Sequence, residues 1–450
     1  MPATETQPRP ESTLVARPDA RLSASKSLLL GLQPVLAMDV YVVPFIIGTI
    51  VALSVTESAG LIQATFLAAG LATLIQSQWW MRLPIAQGAS YVPIGAVAGI
   101  ALAAGGGASG MAAGYGAMLP GAVVLVVLGR TPVFRRAIRW LVPPIVGGTI
   151  IVVVGLALIP IGLNANVFAL HPGAGTLQQN VALAGLSAGL LVALVTLGLR
   201  LGRHGVWLRL CSVLLALAGG WMLASTWGLM DASAVAAAPW FTLPQLAFLD
   251  FKPSFSAPAI ATMLVIYAVL MAETTGTWFA VSAAIAQPLR DEQIDRGVVG
   301  EGLGCLVSAL VGSTPVTGYS TNAGIISLTG IASRHAFLGA GLWLIVFGLS
   351  GKLAATIASI PAPVIGGVFM VVCAVIALSG LRVIRHVRLN ERNMFVIGMP
   401  IVVALFIDLA PQELMQSLPR MLQYLLNSSI AAGAVVAVLL HQLLPEVADE

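Results

Sequence analysis

The sequence predicts an all-α polytopic membrane protein, and its composition is the first reason. Of the 450 residues, 58% are hydrophobic and 9% are charged, whereas a soluble domain carries about 25% charged residues. The apolar residues form long runs, and a helix that crosses the bilayer needs roughly 20 of them. The 22 basic residues, against 18 acidic ones, are scattered between these runs. These features exclude a soluble enzyme and a nucleic-acid partner.

Fourteen apolar runs are candidate transmembrane segments. Residues 1–27 before them are polar and lack a helical period, so we expect a disordered cytoplasmic tail without a signal peptide. The runs lie near 28–53, 59–77, 90–104, 112–129, 142–162, 181–200, 207–228, 257–286, 298–313, 321–331, 335–350, 354–381, 394–410 and 426–444.

The distribution of arginine fixes the predicted orientation. With a cytoplasmic N-terminus, the inside loops hold the arginine clusters at 130–139, 200–209 and 382–392, and the outside loops keep only Lys252, Lys352 and Arg420. Basic residues accumulate in cytoplasmic loops. We therefore expect a multi-pass protein of the cell (inner) membrane with both termini in the cytoplasm.

Two of the fourteen segments are interrupted. Stretches 87–95 and 312–320 are rich in Gly, Ser and Pro and open the third and tenth segments, which predicts two short strands before half-helices 3 and 10. Such backbone is tolerated at membrane depth only when buried or facing a cavity. The tenth segment comes seven segments after the third, which predicts 7+7 inverted repeats with the substrate site between the half-helices. The alternative is that the glycines only allow close helix packing.

Two acidic residues fall near the middle of predicted segments. They are Asp39 and Glu273, whereas Glu57, Glu301 and Asp408 fall near segment ends. An acid at this depth must hold a proton, bind a cation or accept hydrogen bonds from a ligand, and each suits a carrier. The alternative is a permanently protonated structural acid. The three cysteines lie in apolar runs without ligand spacing, so no metal or cofactor is expected.

The residues that follow Glu273 are small or polar. Thr274 and Thr275 are expected to bond back to carbonyl groups of their own helix. Trp278 could pack on a flat ring.

Several separated motifs together resemble the nucleobase–ascorbate transporter family, which includes uracil, xanthine and uric acid permeases. The resemblance runs from residue 30 to about residue 444. The motifs lie at 31–33 with 36–38, 87–91, 273–276, 296–297 with 301–305, and 319–330.

The resemblance implies a core domain and a gate domain, each built from both repeats. The core would comprise 28–140 and 257–352, and the gate 141–256 and 353–450. It also implies that Glu273 binds ring N–H groups of a nucleobase. Main-chain groups near Tyr91 and Ser320, with Thr321, would complete the pocket. Asn322 would organise the start of the half-helix, and it is also a plausible N-cap.

The sequence departs from the family pattern at three polar positions. Pro34 stands where His is common, Thr277 where Asp or His is common, and Thr321 where Glu or Gln is common. Asp39 stands where the family usually has no acid. We therefore expect Asp39 to share proton coupling with Glu273.

The expected function is proton symport of a purine such as xanthine or uric acid, by alternating access in a homodimer. The short Thr321 side chain leaves room for a purine. Na⁺ as the coupling ion, a uracil permease and a channel remain open. An anion carrier for sulfate or bicarbonate is a further alternative, against which the acid at Glu273 argues. No nucleophile–base pair lies within a segment, so an enzyme is not expected.

Overall fold

The structure is a computed structural model of the 450-residue chain. It describes residues 14–131, 136, 140–170, 175–229, 233–319, 321–385, 387–411, 414, 426 and 428–445. This part of the chain is mostly α-helical, with one two-stranded sheet.

The first half holds ten helices and one strand in the described residues. They are α1 (Ala24–Ala37), α2 (Val42–Val51), α3 (Val55–Leu74, continued as a π-helix over Ile75–Trp80), β1 (Gln87–Ala89), α4 (Ile94–Ala103), α5 (Gly107–Gly129), α6 (Pro144–Leu163, continued as a π-helix over Asn164–Phe168), α7 (Leu177–Arg200), a 3-10 turn at Gly202–Gly205, α8 (Val206–Leu210), α9 (Ser212–Thr226) and α10 (Ser233–Ala237).

The second half follows a similar order. After a π-helical turn at Ala247–Phe251 come α11 (Ala257–Ala284), α12 (Asp291–Leu310), β2 (Val316–Gly318), α13 (Thr321–Thr329), α14 (Arg334–Gly348), α15 (Gly351–Ala358), α16 (Ala362–Ile384), α17 (Glu391–Leu409) and α18 (Ser429–Leu443).

Local sequence signals set several helix starts. Helix α3 opens with a capping box between Ser54 and Glu57, and α7 opens with one between Thr176 and Gln179. The Asn390 side chain accepts a hydrogen bond at the start of α17. Each cap satisfies N–H groups that have no partner within the helix.

The first predicted segment is two helices with an interruption at residues 38–41. Pro34, inside α1, lacks an N–H donor, and α1 ends three residues later. Asp39 lies in this interruption, and its carbonyl accepts from the Val42 N–H. The twelfth predicted segment is also wrong at its start: α15 ends at Ala358, and α16 begins only after Pro361.

Eight helices or continuous helix pairs of the described chain are long and apolar enough to cross a membrane. Helices α14 and α15 become a ninth if they are counted together, although they are bent by 77°. The half-length α4 and the short α9 and α18 are apolar as well. The protein is thus a multi-pass membrane protein, and the total of fourteen segments stays a prediction.

The helices form two bundles with reciprocal contacts. The α3/α12 bundle contains α1–α5 and α11–α15, and the α6/α16 bundle contains α6–α9 and α16–α18. Helix α12 packs on α5 as α3 packs on α14, and α7 packs on α16 as α17 packs on α6. Strand β1 contacts α3 as β2 contacts α12. These contacts of one half therefore have counterparts in the other, as two equivalent halves would produce.

Glycines bring α6 and α16 into backbone contact. A Cβ atom on Gly380 would lie 2.6 Å from the Gly148 carbonyl oxygen, and one on Gly155 would lie 2.5 Å from the Ala377 nitrogen. In a membrane, where lipid is as apolar as the helices, small residues at the interface let backbones approach closely.

The predicted disordered tail, 1–27, is wrong for its second part. Residues before 14 lie outside the described part of the chain, but Ala16 pairs with Ile331 in a parallel bridge. The Asp19 carboxylate lies 2.6 Å from the Arg334 guanidinium. The polar composition misled the prediction, because this segment is held by the loop after α13 and needs no apolar face of its own.

Candidate functional site

The two strands meet at the centre of the α3/α12 bundle. They pair antiparallel, with Gln87 opposite Gly318 and Ala89 opposite Val316. Each strand leads into a half-length helix, β1 into α4 and β2 into α13. Strand pairing satisfies main-chain groups that would otherwise be unpaired within a membrane.

A cavity of about 190 Å³ lies beside the strand ends. The α3/α12 bundle contributes one wall, and α7, α9 and α16 contribute the other. Pockets for drug-sized ligands occupy about 300–1,000 Å³, so this central cavity admits only a small molecule.

Glu273 reaches the central cavity from α11 and is half-buried. The Ser90 hydroxyl, after β1, donates to its Oε2 atom at 2.9 Å. None of the described residues donates to its Oε1 atom. This oxygen can accept a hydrogen bond from a ligand.

Asp39 reaches the same cavity from the interruption between α1 and α2. Its side chain is buried, and the rings of Tyr41, Tyr91 and Tyr319 lie around it. The Asp39 carboxylate interacts with the hydroxyls of Tyr91 and Tyr319, whereas the Tyr41 hydroxyl is buried without a hydrogen-bond partner in the described chain. A buried acid that is held by neutral hydroxyls can bind a proton or a donor group of a ligand.

Tyr91 and Thr321 also line the central cavity. The Tyr91 ring stacks on Phe369 of α16, with centroids 5.8 Å apart and planes inclined by 30°. The Thr321 hydroxyl, at the start of α13, has no partner in the described chain. Of the predicted site residues, the structure brings Asp39, Tyr91, Glu273 and Thr321 to one cavity, whereas Ser320 lies outside the described residues.

Asn322 has a different position. Its side chain is buried and does not belong to the described wall of the cavity. Its Nδ2 donates to the carbonyl oxygens of Ala86 at 2.9 Å and Tyr319 at 2.7 Å. An N-cap side chain accepts from helix N–H groups, so these bonds do not make Asn322 a cap. They hold the two strand ends together.

Glu301 is a functional candidate that the sequence reasoning missed. It is 1% exposed, and its carboxylate accepts four hydrogen bonds. Gln76 (2.9 Å) and Gln87 (3.2 Å) donate to one oxygen, and Thr274 (2.9 Å) and the Gly318 N–H (3.0 Å) donate to the other. The predicted segment began at 298, but α12 begins at Asp291, which places Glu301 mid-helix.

The neighbours of Glu273 follow the predictions only in part. Thr275 donates to the Met271 carbonyl at 2.6 Å, as expected, but Thr274 bonds to Glu301 instead. Trp278 is fully buried, and its ring lies against Gly297. It does not line the described wall of the central cavity.

The electrostatics of the cavity follow from its wall. It carries the two carboxylates and, in the part of the chain that the structure describes, no basic side chain. The described residues also contain no group of three His, Cys, Asp or Glu side chains that could hold a metal ion. The N-terminal end of α13 adds a partial positive charge. The site suits a small neutral molecule with N–H donors.

Comparison with known proteins gives the family. The model of a permease family matches residues 25–413. The nucleobase transporter PlUacP of Paenibacillus larvae is 30% identical over 93% of this chain and 94% of its own. The uric acid permease PucK of Bacillus subtilis is 30% identical over 93% of this chain and 95% of its own. The xanthine permease XanP of Escherichia coli is 29% identical over 99% of this chain and 96% of its own.

Two solved structures share the fold. The transmembrane domain of the cyanobacterial bicarbonate transporter BicA aligns over 94% of this chain and 98% of its own, with a TM-score of 0.57 and 14% identity. SLC26A9 aligns over 92% of this chain and 64% of its own, with a TM-score of 0.62 and 12% identity. At this identity the likeness concerns the fold alone. The chain is a membrane transporter and not an enzyme, and it belongs to the permease family of the xanthine and uric acid permeases, the nucleobase–ascorbate transporters.

Proposed function

We propose that this protein imports a purine base, such as xanthine or uric acid, by proton symport. The observation that carries the proposal is Glu273, which lines a small cavity between the two half-helices and whose Oε1 atom has no donor among the described residues. Relatives that match almost the whole chain include a xanthine permease and a uric acid permease.

Each site residue has a proposed role. Glu273 accepts hydrogen bonds from ring N–H groups, which a carboxylate binds more strongly than a neutral acceptor does. Main-chain groups at Tyr91 and Ser320, together with Thr321, complete the pocket. Asn322 holds the junction of strands and half-helices, as its two bonds to carbonyl oxygens support.

Asp39 and Glu273 together carry the coupling proton in this proposal. Both face the same small cavity, and no basic side chain of its described wall compensates them. An ionised carboxylate without a basic partner is costly in a medium of low dielectric constant, and a bound proton relieves that cost. Na⁺ is the alternative coupling ion, and uptake at a fixed pH with and without Na⁺ separates the two.

Alternating access would move the α3/α12 bundle, as the core, against the α6/α16 bundle, as the gate. The predicted boundaries are 28–140 and 257–352 for the core, and 141–256 and 353–450 for the gate, except that α15 (Gly351–Ala358) packs with the core. The central cavity lies where the two bundles meet. The reciprocal contacts support inverted 7+7 repeats, for which we propose fourteen segments. We also propose a homodimer in the inner membrane with cytoplasmic termini.

The cavity wall supports an inward-facing arrangement. Leu191, Val195 and Ser379 line it from the halves of α7 and α16 that end in the predicted cytoplasmic loops. Phe369, whose ring stacks on Tyr91, lies in the opposite half of α16 from Ser379. We propose that this stack closes the outer path.

Uptake by the purified protein in proteoliposomes tests the proposal. Labelled xanthine, uric acid, uracil and sulfate are offered with and without an inward proton gradient. We expect xanthine or uric acid to accumulate only with the gradient, and Glu273→Gln to abolish accumulation. Uptake of uracil alone would indicate a pyrimidine permease, and uptake of sulfate alone an anion carrier; either result would overturn the proposal.

A further inference from the structure

The central cavity offers polar groups beyond Glu273. The Thr321 hydroxyl lines it without a hydrogen-bond partner in the described chain, and the Asp39 carboxylate lines it together with Tyr91 and Tyr319, whose hydroxyls interact with it. Both tyrosines are 5% exposed, and Asp39 is 6% exposed. Since buried polar groups are normally satisfied, these groups indicate a ligand that also reaches the Asp39 side of the cavity.

The two carboxylates approach the cavity from different elements. Glu273 projects from the continuous helix α11, and Asp39 from the interruption between α1 and α2. Tyr319, which follows β2, lines the same cavity. The cavity therefore presents two hydrogen-bond acceptors that come from separate elements of the fold.

Two separated acceptors match a ligand with donors on two separated edges. An oxopurine such as xanthine carries N–H groups on both of its fused rings, whereas a pyrimidine has a single ring. Thr321 does not reach across the cavity as a longer acidic or amide side chain would, so the base has room to extend toward Asp39. An anionic base would meet two carboxylates and no basic side chain in the described wall.

We propose that Asp39 is a second substrate-binding carboxylate, which accepts a hydrogen bond from an N–H group on one ring of a neutral purine while Glu273 accepts from the other ring. This inference rests on the proposed function, because it assumes that the central cavity binds a base. It assigns the substrate to neutral purines with N–H donors on both rings. Xanthine belongs to this class, and the urate anion and uracil are disfavoured.

Equilibrium binding to the purified protein tests the assignment without involving proton coupling. The ligands are xanthine, 7-methylxanthine, which lacks the N–H of the five-membered ring, and 1,3-dimethylxanthine, which lacks those of the six-membered ring. The variants are Asp39→Ala and Glu273→Ala. The matched control is Asp408→Ala, which removes an acid of α17 away from the cavity.

Asp39→Ala should weaken xanthine binding about 10- to 100-fold, the effect of losing a hydrogen bond to a charged group. One of the two methylated analogues lacks the N–H group that donates to Asp39, so wild type and Asp39→Ala should bind this analogue with equal affinity. In the same way, wild type and Glu273→Ala should bind the other analogue with equal affinity. Asp408→Ala should bind all three ligands as wild type does.

If Asp39→Ala weakens the binding of all three ligands equally, Asp39 acts through the fold, and the assignment is overturned. If Asp39→Ala weakens the binding of none of them, Asp39 does not contact the base, which also overturns the assignment. Asp39→Asn, which keeps the shape and one acceptor oxygen, enters the same comparison if the alanine variant does not fold. Wild-type protein that binds neither xanthine nor uric acid would instead refute the proposed function.

Discussion

The buried carboxylate of Glu301 gives the sharpest stability prediction. It accepts four hydrogen bonds, two on each oxygen. Glu301→Gln replaces one oxygen with an amide NH₂ group, which cannot accept the two bonds made there. A hydrogen bond to a charged group contributes about 1.5–3 kcal/mol, so we expect the free energy of unfolding to fall by about 3 kcal/mol when two are lost.

Glu301→Ala removes all four acceptor positions. It leaves donors from α3, β1, α11 and β2 without this partner, and breaking such a buried charged network costs about 3–5 kcal/mol. Because the Gly318 N–H belongs to the strand beside the cavity, base binding should weaken as well.

Thermal unfolding in detergent measures these effects. The matched control is Glu57→Gln, which changes the same chemical group in an exposed capping box at the start of α3 and should cost about 0.5 kcal/mol or less, because glutamine also forms this box. The melting temperature should fall in the order wild type, Glu57→Gln, Glu301→Gln, Glu301→Ala. A Glu301→Gln protein that melts together with Glu57→Gln would refute the reasoning.

Three further changes test other contacts. Asn322→Ala removes two hydrogen bonds to main-chain oxygens; it should cost about 2 kcal/mol and weaken base binding with Glu273 intact, as titration calorimetry would show. Gly380→Leu forces a side chain into the Gly148 carbonyl and should prevent a stable protein, as size-exclusion chromatography would show; normal elution would contradict close packing there. Phe369→Ala removes the ring stacked on Tyr91 and should raise the rate of base exchange from the outer side, whereas an unchanged rate would exclude the stack as a closure.

The sequence was sufficient to locate much of the cavity wall. The Gly- and Pro-rich stretches at 87–95 and 312–320 marked both strands, because extended backbone within an apolar segment has few explanations. Asp39 and Glu273 stood out because acids are rare within such segments. The structure brings both to one cavity, although they are far apart in the sequence.

Glu301 and the N-terminal segment could not be found in the same way. Glu301 follows the charged first turns of α12, so hydropathy places it at the segment end, and only the hydrogen bonds from Gln76 and Gln87 show its burial. The N-terminal residues are ordered by pairing between Ala16 and Ile331. Contacts between distant parts of a chain leave no trace in local composition. Thr274 is similar, since its partner lies on another helix.

The strand pairing has a consequence for how this protein is made. Because β1 and β2 come from opposite halves of the chain, β1 has no partner while the ribosome is still synthesising the second half. Contacts of such high sequence separation form late, since the loop-closure entropy must be overcome first. Strand β1 and the half-helix α4 therefore keep unpaired main-chain groups within the membrane until β2 has been synthesised. Assembly of the site should be one of the last steps of folding, and a chain truncated before residue 316 should be recognised as incomplete and degraded.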